Sequence, residues 1–146
     1  MGNFSIRTEN LKKSFGGVTA LNGVSFDFSA GLLHGLIGSD GAGKTTTMRL
    51  LAGLLKPTEG GIQYYQNGNP VVFNELRPSL AYMPQQASLY PDLSIDEHLE
   101  FFRELYRLPS EVYARRSEEL LQITRLGKFR DRRAGQLSGG MYKKLG

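Results

Sequence analysis

Gly38-Ser39-Asp40-Gly41-Ala42-Gly43-Lys44-Thr45 is the stretch whose reading decides the fold. It fits the spacing G-x-x-x-x-G-K-[ST], and each residue type in it has a physical reason. Glycines at 38, 41 and 43 allow backbone angles that side chains forbid and let the chain approach a bulky anion closely. Successive backbone N–H groups turned inward meet dense negative charge. A helix opening directly after the loop adds free N–H groups and a favourable dipole. Lys44 adds a point charge at the β- and γ-phosphates, and the Thr45 hydroxyl is suited to ligate Mg²⁺. The stretch therefore reads as a nucleotide phosphate loop, with ATP and Mg²⁺ as the expected ligands, held by Gly38 to Thr45 together with Thr46.

The flanks suit that reading. Leu32-Leu33-His34-Gly35-Leu36-Ile37 is nearly all apolar, the pattern of a strand covered on both faces. After the loop, Met48, Leu51, Ala52 and Leu55 recur at helical spacing, and Gly53 and Pro57 mark the helix end. Further out, Phe4, Ile6 and Thr8 alternate with polar residues, as do Val24, Phe26 and Phe28, predicting two half-buried strands around a turn at Ser14-Phe15-Gly16-Gly17. Ile62 to Tyr65 reads as a strand, and Ser79 to Met83 as a further short one. From Ser94 the character changes. Ser94 and Glu97 form a capping box, and Leu99, Phe102, Leu105 and Tyr106 make an apolar face. Pro109 breaks this helix and Ser110 caps the next, which carries Val112, Leu120, Leu121 and Ile123 and ends near Gly127.

Bulk properties set bounds. The 146 residues make about one domain, and 40 % hydrophobic with 22 % charged residues is ordinary for a globular chain. No apolar run approaches the roughly 20 residues needed to cross a bilayer. There is no cysteine, so disulfides and thiolate metal sites are excluded. The net charge of +4 is unevenly placed: 7 basic and 8 acidic residues precede Glu100, and 11 basic and 6 acidic follow from it. A nucleic-acid patch would need aromatics interleaved with the basic run as stacking platforms. Arg125, Lys128, Arg130, Arg132 and Arg133 are read instead as a solvated helical surface, and no nucleic-acid partner is expected. His34 and His98 have no metal-ligand partners at useful spacing, and His98 is placed on a helix surface.

A second motif, Leu137-Ser138-Gly139-Gly140, puts Ser138 94 positions beyond Lys44. Ser-Gly-Gly alone is common in loops. At this distance, after a helical segment, it resembles the signature motif of the ATP-binding cassette (ABC) ATPases. Phe15, within Leu11-Lys12-Lys13-Ser14-Phe15-Gly16, stands where that family carries an aromatic that stacks on adenine. Gln85, ending Tyr82-Met83-Pro84-Gln85, resembles the glutamine joining the catalytic core to the helical subdomain, and Leu89-Tyr90-Pro91-Asp92-Leu93-Ser94 resembles the segment after it. The resemblance covers essentially the whole chain.

It implies an α/β fold: a P-loop NTPase core with an antiparallel β subdomain and a helical subdomain. Residues 1–86 would form the β subdomain and phosphate-loop core, and 87–146 the helical subdomain up to the signature, together one incomplete ABC ATPase domain. It implies an ATP-hydrolysing subunit or domain of a membrane transporter, on the cytoplasmic face through permease subunits. Two such domains would dimerise head to tail. Ser138, Gly139 and Gly140 of one copy would then meet the ATP held by Lys44 of the other, and Gln85 would contact Mg²⁺ and the attacking water. The alternative is a non-transport member acting on ribosome or DNA. The segments at Leu89–Pro91 and Glu97–Phe102 look most like the drug- and polymer-exporting branch. The family's apolar strand ending in Asp, its catalytic Glu and its switch His follow the signature, and the chain stops at Gly146. The expectation is a fragment that binds ATP and hydrolyses it poorly or not at all for want of a general base. It should also be marginally stable, with apolar faces exposed.

Overall fold

The computed structural model describes residues 3–85 and 89–146. They fall into two compact units, Met1–Tyr82 and Met83–Gly146. The subdomain boundary expected between residues 86 and 87 lies outside the described residues.

The first unit is built on an antiparallel sheet of order β2-β1-β3-β4, with β1 at Phe4–Phe15, β2 at Val18–Phe28, β3 at Glu59–Gln66 and β4 at Asn69–Val71. The alternating residues make these strands, and glycines make the turn between the first two. Gly16 and Gly17 sit at φ 51° and 90°, and Phe15 pairs with Val18 across them. Two consecutive positive φ values are what a tight two-residue hairpin demands. The register puts Ile6 opposite Phe28 on one side and Tyr64 on the other. Helix α1 (Lys44–Leu51) packs Leu50 against Leu11 and Leu21, with Val24, Leu55 and Ile62 around them. The buried Tyr64 hydroxyl donates to Leu51 O at 3.0 Å, pinning the end of α1 to β3. A short helix α2 (Phe73–Leu76) and a 3₁₀ turn at Arg77–Ser79 follow.

Two expected strands do not form. Residues 32–37 carry no strand, and Leu33 and Ile37 are fully exposed. Residues 79–83 form no strand either: Ser79 ends the 3₁₀ turn, 80–83 are irregular, and Met83 is 74 % exposed. A strand covered on both faces needs neighbours to take its N–H and C=O groups. Among the described residues no strand lies beside either segment.

The second unit is helical: α3 (Ile95–Leu105), α4 (Ser110–Thr124) and α5 (Gly139–Leu145), with 3₁₀ turns at Gly127–Phe129 and Ala134–Gln136. The capping box at the start of α3 is present in full. Glu97 N–H donates to Ser94 Oγ at 3.2 Å, and Ser94 N–H donates to Glu97 Oε2 at 2.7 Å. Pro109, not Ser110, occupies the cap position of α4, and Ser110 is its first helical residue. The core is Ile95, Leu121 and Leu126, with Leu99, Phe129, Leu137, Met141 and Leu145 packed on it.

Three details correct the sequence reading here. The buried face of α3 is Ile95 and His98, while Leu105 and Tyr106 are 58 % and 67 % exposed. His98 is not on the surface. Its Nε2 accepts from Tyr90 N–H at 3.0 Å, so Nδ1 carries the proton and donates to Ser94 O at 2.8 Å. The basic run does not lie on an α-helix. Residues 125–133 form a compact turn around Phe129, whose ring packs on the core with Lys128 and Arg132 over it at 5.7 and 4.8 Å. That aromatic interleaves with the basic residues but is spent on packing. Arg130 is paired with Glu118.

Candidate nucleotide site

The phosphate loop is shaped by its glycines and held against the sheet. Gly41 and Gly43 lie at φ 79° and 82°, the left-handed region open to glycine at no steric cost. Gly43 carries a second constraint. A Cβ there would stand 2.5 Å from Ala20 O and 2.7 Å from Leu21 Cδ2, so the loop's exit is pressed onto β2. Gly38 is closed in more gently, 3.3 Å from Ala42 Cβ. Ala42 N–H donates to Ser39 O at 3.2 Å, tightening the turn. Ser39, Asp40, Gly41 and Ala42 are all exposed.

Gly43 caps α1 without a side chain. Thr47 N–H donates to Gly43 O at 2.8 Å, the first bond of the helix, and the Thr47 hydroxyl donates to the same oxygen at 3.0 Å. The N–H groups of Lys44, Thr45 and Thr46 precede that bond and have no intrahelical acceptor. No acidic residue lies in the first turn to occupy them. The positive end of α1 therefore faces the loop unneutralised.

Lys44 folds back over the loop: its Nζ donates to Gly38 O at 2.8 Å and to Ser39 O at 2.6 Å. The ammonium is thus held against the loop by two of its carbonyls, where a phosphate oxygen can take over one of its contacts. The Thr45 hydroxyl, by contrast with Thr47, makes no hydrogen bond to any described residue, and Thr45 is exposed. A hard oxygen donor at the mouth of an anion site fits Mg²⁺, which binds through one or two protein oxygens plus substrate phosphates.

Phe15 belongs to the same unit. It ends β1, is 46 % exposed, and has Lys13 Nζ 5.0 Å from its ring centroid. The loop's exit touches β2 at Ala20 and Leu21, and Phe15 pairs with Val18 on that strand. Two or three strand residues, roughly 7–10 Å, separate the two positions. Lys13 is a neighbour that the sequence reading missed. Its signal was the i, i+2 spacing, which puts both side chains on one face of the strand.

Gln85, Ser138, Gly139 and Gly140 lie in the second unit. Gln85 is exposed in a bend. Ser138 caps α5, its Oγ accepting from Met141 N–H at 3.4 Å. The approach to Ser138 is fixed by backbone bonds. Ile95 N–H donates to Arg132 O at 3.2 Å, Ala134 N–H to Leu93 O at 2.8 Å, and Gly135 N–H to Pro91 O at 2.9 Å. Gly139 and Gly140 have ordinary negative φ, and a Cβ on either would meet nothing within 4 Å. Neither backbone angle nor packing inside this chain requires glycine there.

A family model described as ABC transporter matches residues 21–146. The chain belongs to the ABC transporter ATP-binding family. Among curated relatives it is 41 % identical to a probable multidrug ABC transporter ATP-binding protein of Escherichia coli, over all of this chain and 26 % of that protein. It is 35 % identical to a Nod factor export ATP-binding protein of Ralstonia nicotianae, over 96 % of this chain and 44 % of the relative. The structure superposes on a bacterial ABC transporter cassette solved as a dimer with a TM-score of 0.76 and 26 % identity, covering 96 % of this chain and 66 % of that one. The chain therefore spans about a quarter to two thirds of the length of the proteins it matches. Proteins of this family bind ATP, which agrees with the loop geometry. Among the described residues, no helix is long and apolar enough to cross a membrane.

Proposed function

We propose that this chain is the nucleotide-binding part of an ATP-driven transporter, in which the loop at Gly38–Thr46 holds the phosphates of ATP and two copies close around it. The observation that carries this reading is the loop itself, an exposed glycine turn leading into a helix with no acidic residue in its first turn, with Lys44 Nζ folded onto Gly38 O and Ser39 O. Phe15 would receive the adenine. Thr45 would hold Mg²⁺, which when bound neutralises phosphate charge; such positioning is most of what phosphoryl transfer requires.

The signature residues support a composite site. A glycine in a helix costs roughly 1 kcal/mol against alanine, and α5 begins with two that nothing in the chain demands. That cost is understandable if a foreign surface comes close. In the proposal, Ser138, Gly139 and Gly140 of one copy approach the γ-phosphate held by Lys44 of another. The relatives, one named for multidrug transport, one for Nod factor export and one for sulfate/thiosulfate import, support a transporter, with attachment to the membrane through permease subunits and hydrolysis of ATP by the assembled protein.

Sedimentation velocity tests the composite site. ATP with Mg²⁺ should shift the chain from monomer to dimer. Ser138→Arg, which fills the approach to the glycines, should keep nucleotide binding and lose the shift. A dimer that forms without nucleotide, or one indifferent to Ser138→Arg, would overturn the head-to-tail arrangement.

A further inference from the structure

The phosphate loop contains an acidic residue whose carboxylate has no partner in the chain. Asp40 stands between Ser39 and Gly41, at the exposed tip of the loop. Among the described residues it makes no ion pair and accepts no hydrogen bond. The cation four residues away makes no ion pair with it: Lys44 Nζ donates to the carbonyls of Gly38 and Ser39 instead. The turn that shapes the loop is closed by backbone atoms, Ala42 N–H to Ser39 O at 3.2 Å, and owes nothing to the Asp40 side chain. Asp40 also has ordinary negative φ and carries no strain to explain it. Within the fold, then, the carboxylate does no structural work, and it places a negative charge in a loop otherwise shaped to attract anions.

We infer that Asp40 makes the loop discriminate between magnesium-complexed and free nucleotide, by repelling the more highly charged free form. The inference rests on the reading of Gly38–Thr46 as the ATP site. A fixed charge at the loop tip acts on every phosphate bound there, and the repulsion grows with the net charge of the ligand. Free ATP carries about two more negative charges than its magnesium complex, and a bound divalent cation is the largest local charge in such a site. The penalty from Asp40 therefore falls mainly on the free form. With Thr45 offering an unbonded hydroxyl in the first turn of α1, the site would both ligate the metal and disfavour nucleotide that lacks it. Because Asp40 is exposed, the effect is screened by salt over roughly 8–10 Å at physiological ionic strength.

Equilibrium titration with ATP, once in excess Mg²⁺ and once in a chelator, tests this on the chain, on Asp40→Asn and on Asp40→Ser. Both substitutions should tighten binding of free ATP by about tenfold at low salt while changing the magnesium complex by no more than about threefold. The gap between the two ligands should shrink several-fold at about 0.5 M salt, a response that a steric role for Asp40 would not produce. Equal changes for the two ligands, no change, or weaker binding in both variants would overturn the inference. Lys44→Ala, run alongside, separates the two levels. If it abolishes binding while the Asp40 variants behave like the parent, the ATP site stands and only the role of Asp40 falls. If the parent binds neither ligand, both fall.

Discussion

Gly43 couples the fold to the site more tightly than any other residue. Its φ of 82° and the 2.5 Å that would separate a Cβ from Ala20 O mean that one added atom both collides with β2 and strains the backbone. The left-handed conformation alone costs a non-glycine residue about 1–2 kcal/mol. Gly43→Ala should lower stability by at least that amount and weaken ATP binding, read by urea denaturation and by titration of the same sample. Normal stability with normal binding would refute the double role. His98 works in the second unit in a comparable way, since one ring closes two hydrogen bonds, to Tyr90 N–H and Ser94 O. His98→Ala leaves the Tyr90 N–H without its acceptor, while Ser94 O keeps the backbone N–H of residue 98, and should destabilise by about 1–3 kcal/mol, visible as a lower urea midpoint. Gly43 was legible from the motif because the spacing demands glycine. His98 was not, because an imidazole counts as polar in any periodicity, and its burial depends on a loop, at Tyr90, that folds back over α3.

At the scale of elements, the start of α3 shows what charge adds to a helix end. The Glu97 carboxylate is held below its ordinary range chiefly by the Ser94 backbone N–H and then by the Ser94 hydroxyl. A carboxylate depressed in the folded state contributes stability above its ordinary value of 4.5, and that contribution is lost as pH falls through the folded value. Urea midpoints should therefore fall more steeply below about pH 5 in the parent than in Glu97→Gln, whose side chain cannot titrate. Parallel acid profiles would contradict the assignment. Local signals of this kind were readable directly: the Ser94–Glu97 spacing, the Gly16-Gly17 turn and the alternation of β1 and β2. The segments 32–37 and 79–83 were misread because apolarity records a demand for cover, whereas a strand exists only where a neighbour supplies hydrogen bonds. The α3 face was misread for a related reason. Its aromatic stripe of Phe101, Phe102 and Tyr106 is part of a ring cluster at the surface, with Phe102 and Tyr106 stacked at 6.2 Å. Periodicity finds an apolar stripe but does not say what covers it.

At the scale of the whole molecule, the spacing between the phosphate loop and Ser138 pointed to the family more clearly than either motif alone, and the match over residues 21–146 agrees. The antiparallel sheet and the helical unit were legible as a change in periodicity near Ser94. The chain's own packing gives no reason for Gly139 and Gly140, where a Cβ would meet nothing within 4 Å. Calorimetric titration of the chain with ATP and Mg²⁺, beside Lys44→Ala, tests the loop as the ATP site most directly. The account predicts saturable one-site binding that Lys44→Ala weakens by about 2–3 kcal/mol, the range for a hydrogen bond to a charged group. Equal binding by both proteins would contradict it.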